Sequence, residues 1–563
     1  MGQGEHLERD PSPFRIGIVG AAGRGAAFAS SLRSLGARVQ AVCDIHAEGL
    51  EQTRLALGAA HAYTDYTQML EAGDLDAVLV ATPMHLHVPM ATAALERGIA
   101  VLSEVTAGVS LEECQALVAA AARSDALYML AENYCYTKAN MFVQGLVRAG
   151  LFGEPYYAEG EYLHDVTELA ERTPWRRYWQ LGMRGNTYCT HSLGPILQWF
   201  GDDRVVAVSC VDTGQHRRDP RGEPYAADSS TMLCRTPRGR LIKIRVDLVS
   251  PRPHAMTNYQ LQGTDGAYES SRDRAGDRGR IWLRALFEPD AWLDPETLMR
   301  LPEVGGRYLP PLWWDPPTAA LQAGHGGGDY MVLHDFIRAC RGEIPCPIDV
   351  HRAMDMTLPG LVSQQSVLED GRWLPVPDSR EWPSQPRRSQ LNMLWPEEQL
   401  GSPPQVVVPP GYTLRQYHEG DEREYLALLA AVDLAHWDAE RFARVQATIL
   451  PGGFFVVTHD ASGALVATAL AQHNPRPLHP QGGEVGWVAA DPAHSGRGLG
   501  RAVTAAAVQR LLAAGYQRIY LLSDDNRLPA LHTYLAVGFR PYLCEAGMAE
   551  RWEAVYRALG REG

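Results

Sequence analysis

Short apolar runs alternate with helical patterns over the first 130 residues of the chain. Each run spans five to seven residues and is followed by small and apolar residues at helical spacing. The predicted strands are Phe14–Gly20, Arg38–Asp44, Ala77–Thr82, Ile99–Ser103 and Leu127–Ala131. Strands that alternate with helices form parallel sheets with helices on both faces. The region is therefore predicted to be a doubly wound α/β domain.

At about residue 150 the pattern changes to alternating apolar and polar positions. Val205–Cys210 and Leu241–Val249 are examples, and this alternation is typical of strands with one exposed face. We therefore expect a second domain built on an open, largely antiparallel sheet. Residues from about 270 to 322 are rich in Arg, Gly, Trp and Pro and predict a long functional loop. Strand and helix patterns resume at Tyr412, which indicates a C-terminal α+β domain.

Nine prolines between residues 375 and 410 mark the clearest domain boundary. Proline cannot propagate a helix or a central strand, so we expect an extended linker there. Trp382, Leu391 and Trp395 would anchor part of it on the preceding domain. The predicted domains are 1–135, 136–380 and 412–563, with the linker over 381–411.

Composition narrows the classes of function. The chain has 563 residues, 45% of them hydrophobic, and a formal net charge of -14, which argues against nucleic acid or an anionic membrane as the main partner. The nine cysteines are scattered without a C-x-x-C pair, so no metal cluster or disulfide framework is expected. The sequence has no apolar run of membrane-spanning length and no signal-peptide pattern, so we expect a cytoplasmic protein.

A glycine-rich turn follows the first predicted strand and precedes a helix. The residues expected to cradle a cofactor there are Gly20, Ala22, Gly23, Arg24 and Gly25. Small residues let backbone N–H groups approach a pyrophosphate at the helix N-terminus. Asp44 ends the second strand, where a carboxylate binds ribose hydroxyls. Because that carboxylate would repel a 2′-phosphate, NAD is favoured over NADP.

Further polar residues follow the other strands of the predicted parallel sheet. Thr82 and His87 come after the third strand, Glu104 after the fourth, and Glu132 and Asn133 after the fifth. Ligands bind at the carboxyl edge of open α/β sheets, so we expect Thr82, His87, Glu104 and Asn133 to contact the cofactor.

Residues 14 to about 380 resemble the Gfo/Idh/MocA oxidoreductase family, in which a Rossmann domain precedes an open antiparallel sheet that covers the nicotinamide. The family's Glu-Lys-Pro signature is Glu104-Val105-Thr106 here, so the lysine that assists proton transfer is absent. The NAD-dependent glycosidases of glycoside hydrolase family 109 carry Glu-Val-Pro and tolerate that loss. Other stretches similar to that branch are Glu132–Tyr136, Tyr162–Asp165, Gly185–Pro195, Ser250–His254 and His325–Tyr330.

By that resemblance, Tyr188 and His191 transfer protons beside the nicotinamide. Histidine titrates near neutrality and tyrosine can pass a proton, so two such residues at a helix start can serve one site. Thr106 and Cys189 stand where the branch has proline, which could change the substrate. The residues expected to bind sugar hydroxyls are Glu132, Tyr136, His164, Asp165, His254, His325 and Asp329.

A second strand, glycine-rich turn and helix lie near the C-terminus. Residues 412 to 560 resemble the GNAT N-acetyltransferases, with Ser495 at the Arg or Gln position of their pyrophosphate loop. The resemblance implies that Tyr534 protonates the departing thiolate, and Glu484 is the candidate base that takes the amine proton. The residues expected to bind acetyl-CoA are Val488, Arg497, Gly498, Gly500, Arg501 and Asn526.

Three functions remain open from the sequence. The chain is either a bifunctional enzyme that oxidises a sugar hydroxyl with NAD and acetylates an amine of an amino sugar, or an NAD-recycling glycosidase with an accessory acetyltransferase. In the third alternative, one domain is a catalytically silent binding module. The resemblance also implies a homo-oligomer that associates through its open sheet.

Overall fold

The apolar runs of the first 130 residues form a six-stranded parallel sheet in the computed structural model of the chain. Its strands are β1 (Arg15–Val19), β2 (Arg38–Cys43), β3 (His61–Tyr63), β4 (Ala77–Val80), β5 (Ala100–Ser103) and β6 (Tyr128–Leu130). They lie in the order β3-β2-β1-β4-β5-β6, so the strand order reverses between β1 and β4. Ligands of doubly wound sheets bind outside the strand ends at such a point. The predicted α/β fold is confirmed.

The structure describes residues 13–253, 256–272, 278–286, 291–382, 389–432, 434, 437, 439–476, 478–479, 482–545 and 547–561. The chain divides at about residue 386 into two units. Across the described ranges, no helix has both the length and the hydropathy that crossing a membrane requires.

Helices separate the strands of the parallel sheet. They are α1 (Ala29–Ser34), α2 (Leu50–Leu57), α3 (Tyr66–Ala72), α4 (His87–Leu95) and α5 (Leu111–Arg123). All residues of β4 and β5 are buried, as expected of central strands covered on both faces. α5 begins after Ser110, whose hydroxyl accepts the N–H of Glu113 at 3.1 Å, which fixes the helix start.

The second sheet of the first unit has eight strands. They are β7 (Pro155–Leu163), β8 (Ala207–Asp212), β9 (Ser229–Arg235), β10 (Leu241–Asp247), β11 (Met256–Gly263), β12 (Gly266–Glu269), β13 (Arg280–Leu283) and β14 (Leu374–Pro375). Their order is β13-β12-β11-β7-β10-β9-β8-β14. β7 and β10 are parallel and the other neighbours are antiparallel, so the predicted antiparallel sheet contains one parallel pair.

Helices on the buried side of this sheet carry several of the predicted site residues. The helices of the second sheet region are α6 (Lys138–Arg148), α7 (Thr167–Arg172), α8 (Trp175–Trp179), α9 (Thr190–Trp199), α10 (Pro295–Arg300), α11 (Gly305–Tyr308), α12 (Pro311–Trp314), α13 (Thr318–Gln322), α14 (Gly328–Cys340) and α15 (Val350–Leu368). α9 packs on β7, β10 and β11. The predicted loop over 270–322 instead contains β13 and four short helices, α10 to α13, in its described part.

The second unit is built on a seven-stranded sheet. Its strands are β15 (Leu391–Leu394), β16 (Tyr412–Gln416), β17 (Ile449–His459), β18 (Leu465–His473), β19 (Gly483–Ala490), β20 (Ile519–Ser523) and β21 (Arg540–Pro541). Its helices are α16 (Glu422–Ala431), α17 (Ala439–Gln446), α18 (Leu499–Ala513), α19 (Leu528–Val537) and α20 (Met548–Ala558). The strand order is β16-β17-β18-β19-β20-β15-β21.

Part of the predicted linker is a strand of this sheet. β15 lies between β20 and β21 and pairs antiparallel with both. Leu391 and Trp395 are buried in the core of the second unit, whereas Trp382 packs on the core of the first. Leu391 and Trp395 therefore anchor the segment on the domain that follows it, and not on the preceding one as the sequence suggested.

Candidate active sites

The turn after β1 leaves no room for side chains at its first and last glycines. Gly20 has φ +79°, and a Cβ atom there would lie 2.5 Å from the carbonyl oxygen of Ala81. A Cβ atom on Gly25 would lie 2.6 Å from Cγ2 of Ile18. At Gly23 the nearest atom would be 4.0 Å away, so the centre of the turn is open. A tight turn with an open centre is what a bound pyrophosphate requires.

Asp44 follows β2 and lies beside this turn. Its carboxylate accepts the backbone N–H of Ala22 at 2.9 Å and that of His46 at 3.1 Å. The side chain is therefore fixed at the sheet edge where the ribose of a dinucleotide is expected. Oγ1 of Thr82 and Oδ1 of Asn133 are buried and have no hydrogen-bond partner among the described residues. Unpaired buried polar atoms of this kind fit a bound cofactor such as NAD.

His87 supports two loops at this edge. Its Nδ1 lies 2.7 Å from the carbonyl oxygen of Thr106 and its Nε2 lies 2.9 Å from that of Thr82. Burial lowers the pKa of His87, although these carbonyl contacts oppose the shift. Because both ring nitrogens face backbone oxygens, the ring has no nitrogen left for the cofactor contact that the sequence predicted.

Five predicted site residues form one polar cluster, which we call the Arg24 cluster: Arg24, Glu104, Asn133, His325 and Asp329. Nε of Arg24 donates to Glu104 at 2.8 Å, and its Nη1 and Nη2 donate to Asp329 at 2.7 and 2.6 Å. Asp329 is fully buried and also accepts from Asn133 at 3.0 Å, with His325 Nδ1 at 3.1 Å. Burial would raise the pKa of Asp329, but His325 and Arg24 hold it well below its usual range.

The Arg24 cluster changes the expected roles of its members. The sequence assigned Asp329 and His325 to sugar hydroxyls, but both carboxylate oxygens of Asp329 already accept bonds from protein groups. The Arg24 guanidinium was expected at the cofactor and instead joins two carboxylates. The cluster therefore ties the glycine turn to the start of α14, where Asp329 lies.

His191 lies at the centre of the catalytic candidates. Its Nδ1 is 2.8 Å from Oε1 of Glu132, a fully buried carboxylate. The rings of Tyr134, Tyr162 and Tyr188 surround it, with centroid distances of 4.7, 5.0 and 5.4 Å. The bond to Glu132 fixes the tautomer with a proton on Nδ1, which leaves Nε2 as the basic nitrogen. Tyr134 and Tyr162 lie in stretches that resemble glycoside hydrolase family 109, but the sequence analysis assigned neither residue a role in the site.

Tyr188 lies in an electrostatically mixed environment. Burial raises the pKa of its hydroxyl, the Arg176 guanidinium opposes that shift, and Glu104 adds to it. Arg176 belongs to α8, and its side chain donates to Thr173 at 3.0 Å and Gln180 at 2.7 Å. Sequence reasoning missed Arg176, because a short helix rich in arginine and tryptophan carries no motif. Tyr188 therefore keeps its proton near neutral pH and can act as an acid or a hydrogen-bond donor.

His164 and Asp165 lie at the end of β7. Nδ1 of His164 is 2.9 Å from the hydroxyl of Tyr162, and the ring of Tyr162 lies beside that of His191. His164 is therefore linked to His191 through Tyr162. Asp165 accepts the N–H of Thr167 at 3.0 Å and lies 3.4 Å from Arg217. Asp165 therefore stabilises the turn into α7, while His164 belongs to the tyrosine cluster.

Two further predictions for sugar binding have different outcomes. Tyr136 is 2% exposed, its hydroxyl is buried without a partner among the described residues, and its carbonyl accepts the indole N–H of Trp313 at 2.8 Å. It is a core residue, and the prediction that it contacts the substrate is not supported by its position. His254 lies outside the described residues.

The second site opens where two strands of the second unit separate. Gly483 pairs with Ile519 and Glu484 with Tyr520, after which β19 and β20 no longer pair. Trp487, with φ +53°, lies in an irregular stretch where the β18–β19 register shifts. The separated strands line a cavity of about 980 Å³. This volume is typical of a pocket for a small ligand.

Most of the residues predicted for acetyl transfer line this cavity. They are Glu484, Val488, Gly498, Gly500, Arg501 and Tyr534. Two predicted residues do not. The guanidinium of Arg497 lies 5.9 Å from the centre of the Tyr412 ring, and Asn526 is an exposed residue after β20. Arg527, which follows Asn526, lines the cavity in its place.

The turn between β19 and α18 is open to solvent. Gly496 and Gly498 have φ +73° and +83°, and a Cβ atom on either would meet nothing within 4 Å. Gly498, at the N-cap of α18, has no side chain to cap the helix, so among the described residues the first N–H groups of this 15-residue helix remain available to a phosphate. Ser495, in place of the larger polar residue of the resemblance, is exposed beside them.

Glu484 and Tyr534 have the surroundings of a base and an acid. The Glu484 carboxylate accepts from the amide of Asn474 and, at 3.2 Å, from the hydroxyl of Tyr520. Arg476 lies 3.6 Å from the same oxygen. Burial raises the pKa of Tyr534, opposed weakly by Arg527, so its hydroxyl stays protonated near neutral pH.

Comparisons with known proteins agree with this division. Residues 14–132 match the model of the oxidoreductase family with an NAD-binding Rossmann fold, and residues 136–382 match the C-terminal domain of glycosyl hydrolase 109. Residues 415–539 match the acetyltransferase (GNAT) family. The chain therefore carries an NAD-binding oxidoreductase domain and a GNAT domain, as the sequence resemblance implied.

Curated relatives match the first unit over most of their length. A glycosyl hydrolase family 109 protein of Streptomyces filamentosus is 31% identical over an alignment of 418 positions that covers 69% of this chain and 81% of the relative. One from Saccharopolyspora erythraea is 30% identical over an alignment of 395 positions that covers 65% of this chain and 83% of the relative.

Solved structures share the fold of the same region. Levoglucosan dehydrogenase in complex with NADH and L-sorbose has a TM-score of 0.53 and 20% identity, and covers 65% of this chain and 100% of its own. The WlbA dehydrogenase from Bordetella pertussis, in complex with NADH and UDP-GlcNAcA, has a TM-score of 0.52 and 20% identity, with 65% and 99% coverage.

Proposed function

Because the chain belongs to glycosyl hydrolase family 109 of the Gfo/Idh/MocA oxidoreductases and carries a GNAT domain, we propose that it is a bifunctional sugar-modifying enzyme. The first unit oxidises a sugar hydroxyl with NAD, and the second acetylates an amine, on an amino sugar, with acetyl-CoA. The arrangement of Glu132, His191 and three tyrosine rings carries the first half of the proposal.

In the first site, NAD would supply the hydride acceptor. Nε2 of His191 takes the proton of the sugar hydroxyl, because Nδ1 is held by Glu132. The Glu132 carboxylate stabilises the positive charge that the imidazole gains. Asp44 favours NAD over NADP, since a 2′-phosphate would meet its carboxylate. The surrounding tyrosine rings offer apolar faces and hydroxyls, which suit the two sides of a sugar ring.

A second candidate for this site is an NAD-recycling glycosidase cycle. Oxidation at C3 of a glycoside acidifies the C2 hydrogen, loss of that proton expels the C1 substituent, and water adds before the ketone is reduced again. The net reaction is hydrolysis of the glycoside, with no net oxidation or reduction of the sugar. The specific observation in its favour is the position of Tyr188, whose ring centroid lies 5.4 Å from that of His191, so that one site holds a base and a protonated hydroxyl for the leaving group. The absence of a lysine in Glu104-Val105-Thr106 agrees with it.

One experiment separates these two candidates. The purified protein is analysed by native mass spectrometry for bound nucleotide, then given free sugars and nitrophenyl glycosides in deuterium oxide. Accumulation of NADH from a free sugar supports net oxidation. Release of nitrophenol without NADH, with deuterium at C2 of the product, supports the recycling cycle. If the protein binds neither NAD nor NADP, and neither NADH nor nitrophenol forms, both candidates are wrong.

In the second site, Glu484 receives the proton of the acceptor amine through water, and Tyr534 protonates the thiolate as the acetyl group leaves. The observation that carries this half is the placement of both residues on one cavity between separated strands. The backbone of the open turn and Arg501 would hold the phosphates of acetyl-CoA. The test is release of free thiol from acetyl-CoA across a panel of amines, with product mass spectrometry. Thiol release that is independent of every amine would contradict acetyl transfer.

A further inference from the structure

The cavity of the second unit is lined by an excess of positive charge. Among the described residues that line it, the charged side chains are those of four arginines and one glutamate: Arg441, Arg476, Arg501, Arg527 and Glu484. The whole chain, in contrast, has a net charge of -14. The local excess is therefore a property of this cavity and requires a reason of its own.

Two of these arginines lie where acetyl-CoA is expected. Arg501 is in the first turn of α18, directly after the open glycine turn, and its charge suits the phosphates. Arg527 immediately precedes α19, which carries Tyr534. Nε of Arg527 donates to the Asp524 carboxylate at 3.1 Å, so a protein group accounts for this arginine, and the cofactor phosphates account for Arg501.

The other two arginines lie at the Glu484 end of the cavity. Arg476 is 3.6 Å from the Glu484 carboxylate. Arg441 is on α17, one helical turn before Val445, which also lines the cavity. Thr448, just after α17, donates to the Val445 carbonyl at 2.7 Å and accepts the side-chain amide of Gln472 at 2.7 Å. Because Gln472 pairs with Glu484 across β18 and β19, the end of α17 lies beside Glu484. Arg441 and Arg476 therefore border the space for the acceptor.

A row of polar side chains marks where the acceptor amine would bind. Gln472 pairs with Glu484 and Glu484 pairs with Tyr520 across three adjacent strands, so the three side chains lie on one face of the sheet. Oε1 of Gln472 is buried and has no hydrogen-bond partner among the described residues. A Cβ atom on Gly486 would lie 2.2 Å from that oxygen, so glycine leaves the space it occupies. The row combines a carboxylate with an unpaired amide oxygen, a suitable environment for an ammonium group.

From these observations we propose that the acceptor of the second site is a small amine that also carries an anionic group, a carboxylate or a phosphate. This inference rests on the proposed acetyltransferase function. The amine lies at the row of Gln472 and Glu484, and the anionic group lies between Arg441 and Arg476. Guanidinium groups bind both carboxylates and phosphates through charge-assisted hydrogen bonds. In the transfer, the amine nitrogen forms a bond to the acetyl carbon, the carbon–sulfur bond breaks, and the amine proton leaves through water to Glu484 while Tyr534 protonates the thiolate.

The test compares matched acceptors in the full-length protein. One pair is a hexosamine and its phosphate ester, and the other is an amino acid and its methyl ester. We expect kcat/KM to be higher for the anionic member by about tenfold or more, which corresponds to one charge-assisted contact. We expect this preference to decrease with added salt. Preference for the sugar phosphate alone, or for the free amino acid alone, identifies which anion the arginines bind.

Variants of Arg441 locate the contact. Arg441→Gln should remove most of the preference, and Arg441→Lys should retain part of it, while the Kd for acetyl-CoA stays unchanged. The matched control is Arg423→Gln on α16, an exposed arginine that does not line the cavity and should behave as wild type. An unchanged preference in Arg441→Gln overturns the proposed location.

The outcomes separate the inference from the function on which it rests. If neutral amines are acetylated as well as or better than their anionic counterparts, the inference is wrong and the acetyltransferase function stands. If acetyl-CoA binds but no amine in either pair is acetylated, or if acetyl-CoA does not bind, the proposed function fails and the inference fails with it.

Discussion

The two glycine-rich turns of the chain read alike in sequence but use their glycines differently. In the first unit, a side chain at Gly20 would collide with the backbone at Ala81, so the glycine is needed to form the turn itself. In the second unit, a side chain at Gly496 or Gly498 would meet no protein atom within 4 Å. Glycine there keeps the backbone accessible and permits the positive φ. One turn is constrained by internal packing, and the other by what it would bind.

The charged groups of the two sites differ in a similar way. In the first unit, the Arg24 cluster pairs one arginine with two carboxylates, and Asp329 at its centre is fully buried. In the second unit, four arginines line one cavity with a single carboxylate. The arginine of the first arrangement is fully occupied by protein carboxylates, whereas the second cavity has more positive than negative lining groups, although Arg476 lies 3.6 Å from Glu484 and Arg527 pairs with Asp524. We therefore expect ligand binding in the first site to depend on groups outside the Arg24 cluster, namely the His191 region and the glycine turn.

The largest effect is expected at His191, whose Nδ1 is held by the buried Glu132 carboxylate. His191→Ala should lower sugar turnover by about 10³-fold, because the proton acceptor is lost. Glu132→Gln should cost less, about 10²-fold, since an amide in its place does not stabilise the imidazolium. Steady-state kinetics would measure both, with a free sugar or nitrophenyl glycoside that the wild type turns over in the experiment proposed above, and calorimetry would follow NAD binding. The control is His216→Ala, an exposed histidine whose Nε2 lies 2.7 Å from the carbonyl oxygen of Thr213. Full activity in His191→Ala would remove the proposed base.

The Arg24 cluster provides the next effect, on stability. Arg24→Gln leaves the buried Asp329 carboxylate without its cation and should destabilise the first unit by about 3–5 kcal/mol. Because the folded pKa of Asp329 lies below its unfolded value, its contribution to stability is present above about pH 4 and is lost as the pH falls toward the folded pKa. Denaturant unfolding between about pH 7 and pH 3 measures this. The wild type should lose the first part of the contribution as the pH falls below about 4, and the variant should show a flatter dependence.

Two further variants sharpen that test. Asp329→Asn added to Arg24→Gln should recover part of the lost stability, because no uncompensated charge remains. Arg54→Gln removes a half-buried arginine that pairs with the exposed Glu51 and donates to the Ala59 carbonyl, and it should cost no more than about 1 kcal/mol. Equal destabilisation by Arg24→Gln and Arg54→Gln would show that the buried Asp329 carboxylate does not depend on the charge of Arg24.

The sequence predicted the architecture better than the contacts. β1, β4 and β5 were found because central strands are continuous apolar runs, and Gly20 and Asp44 because a cofactor turn imposes local spacing. β15 was missed because proline-rich flanks obscured four residues whose pairing depends on strands more than 100 positions away. Local composition does not contain that information.

Roles within the first site were hardest to predict. Glu132, Tyr162 and Arg176 surround His191 and Tyr188 from three separate elements, and no spacing in the sequence relates them. Asp329 is the opposite case: its motif indicated a functional residue, but its carboxylate is paired with Arg24 inside the protein. A motif identifies which residues are constrained, but tertiary partners decide whether they face a ligand or each other.

The comparison of the two glycine turns predicts unequal effects of the same substitution. Gly20→Ala should destabilise the first unit by about 2–4 kcal/mol, because the methyl group meets backbone that cannot move aside. Gly498→Ala should cost about 1 kcal/mol, from the positive φ alone. Thermal unfolding measures both, and calorimetry should show weaker acetyl-CoA binding for Gly498→Ala. Similar stability losses for the two variants would contradict the distinction drawn between the turns.

The smallest expected effect concerns Tyr534, in the site that depends more on the open backbone than on single side chains. Tyr534→Phe should lower kcat for acetyl transfer by about tenfold, because a thiolate can leave without full protonation. Burial raises the pKa of Tyr534 above the usual tyrosine value of about 10, so the wild type should keep its acid up to that pH and lose activity only above it. The variant should lack this alkaline decrease. Tyr556→Phe on α20, which does not line the cavity, is the matched control. If Tyr534→Phe retained both the wild-type kcat and the alkaline decrease, the proton would come from another group, and the cavity would act through its backbone and arginines alone.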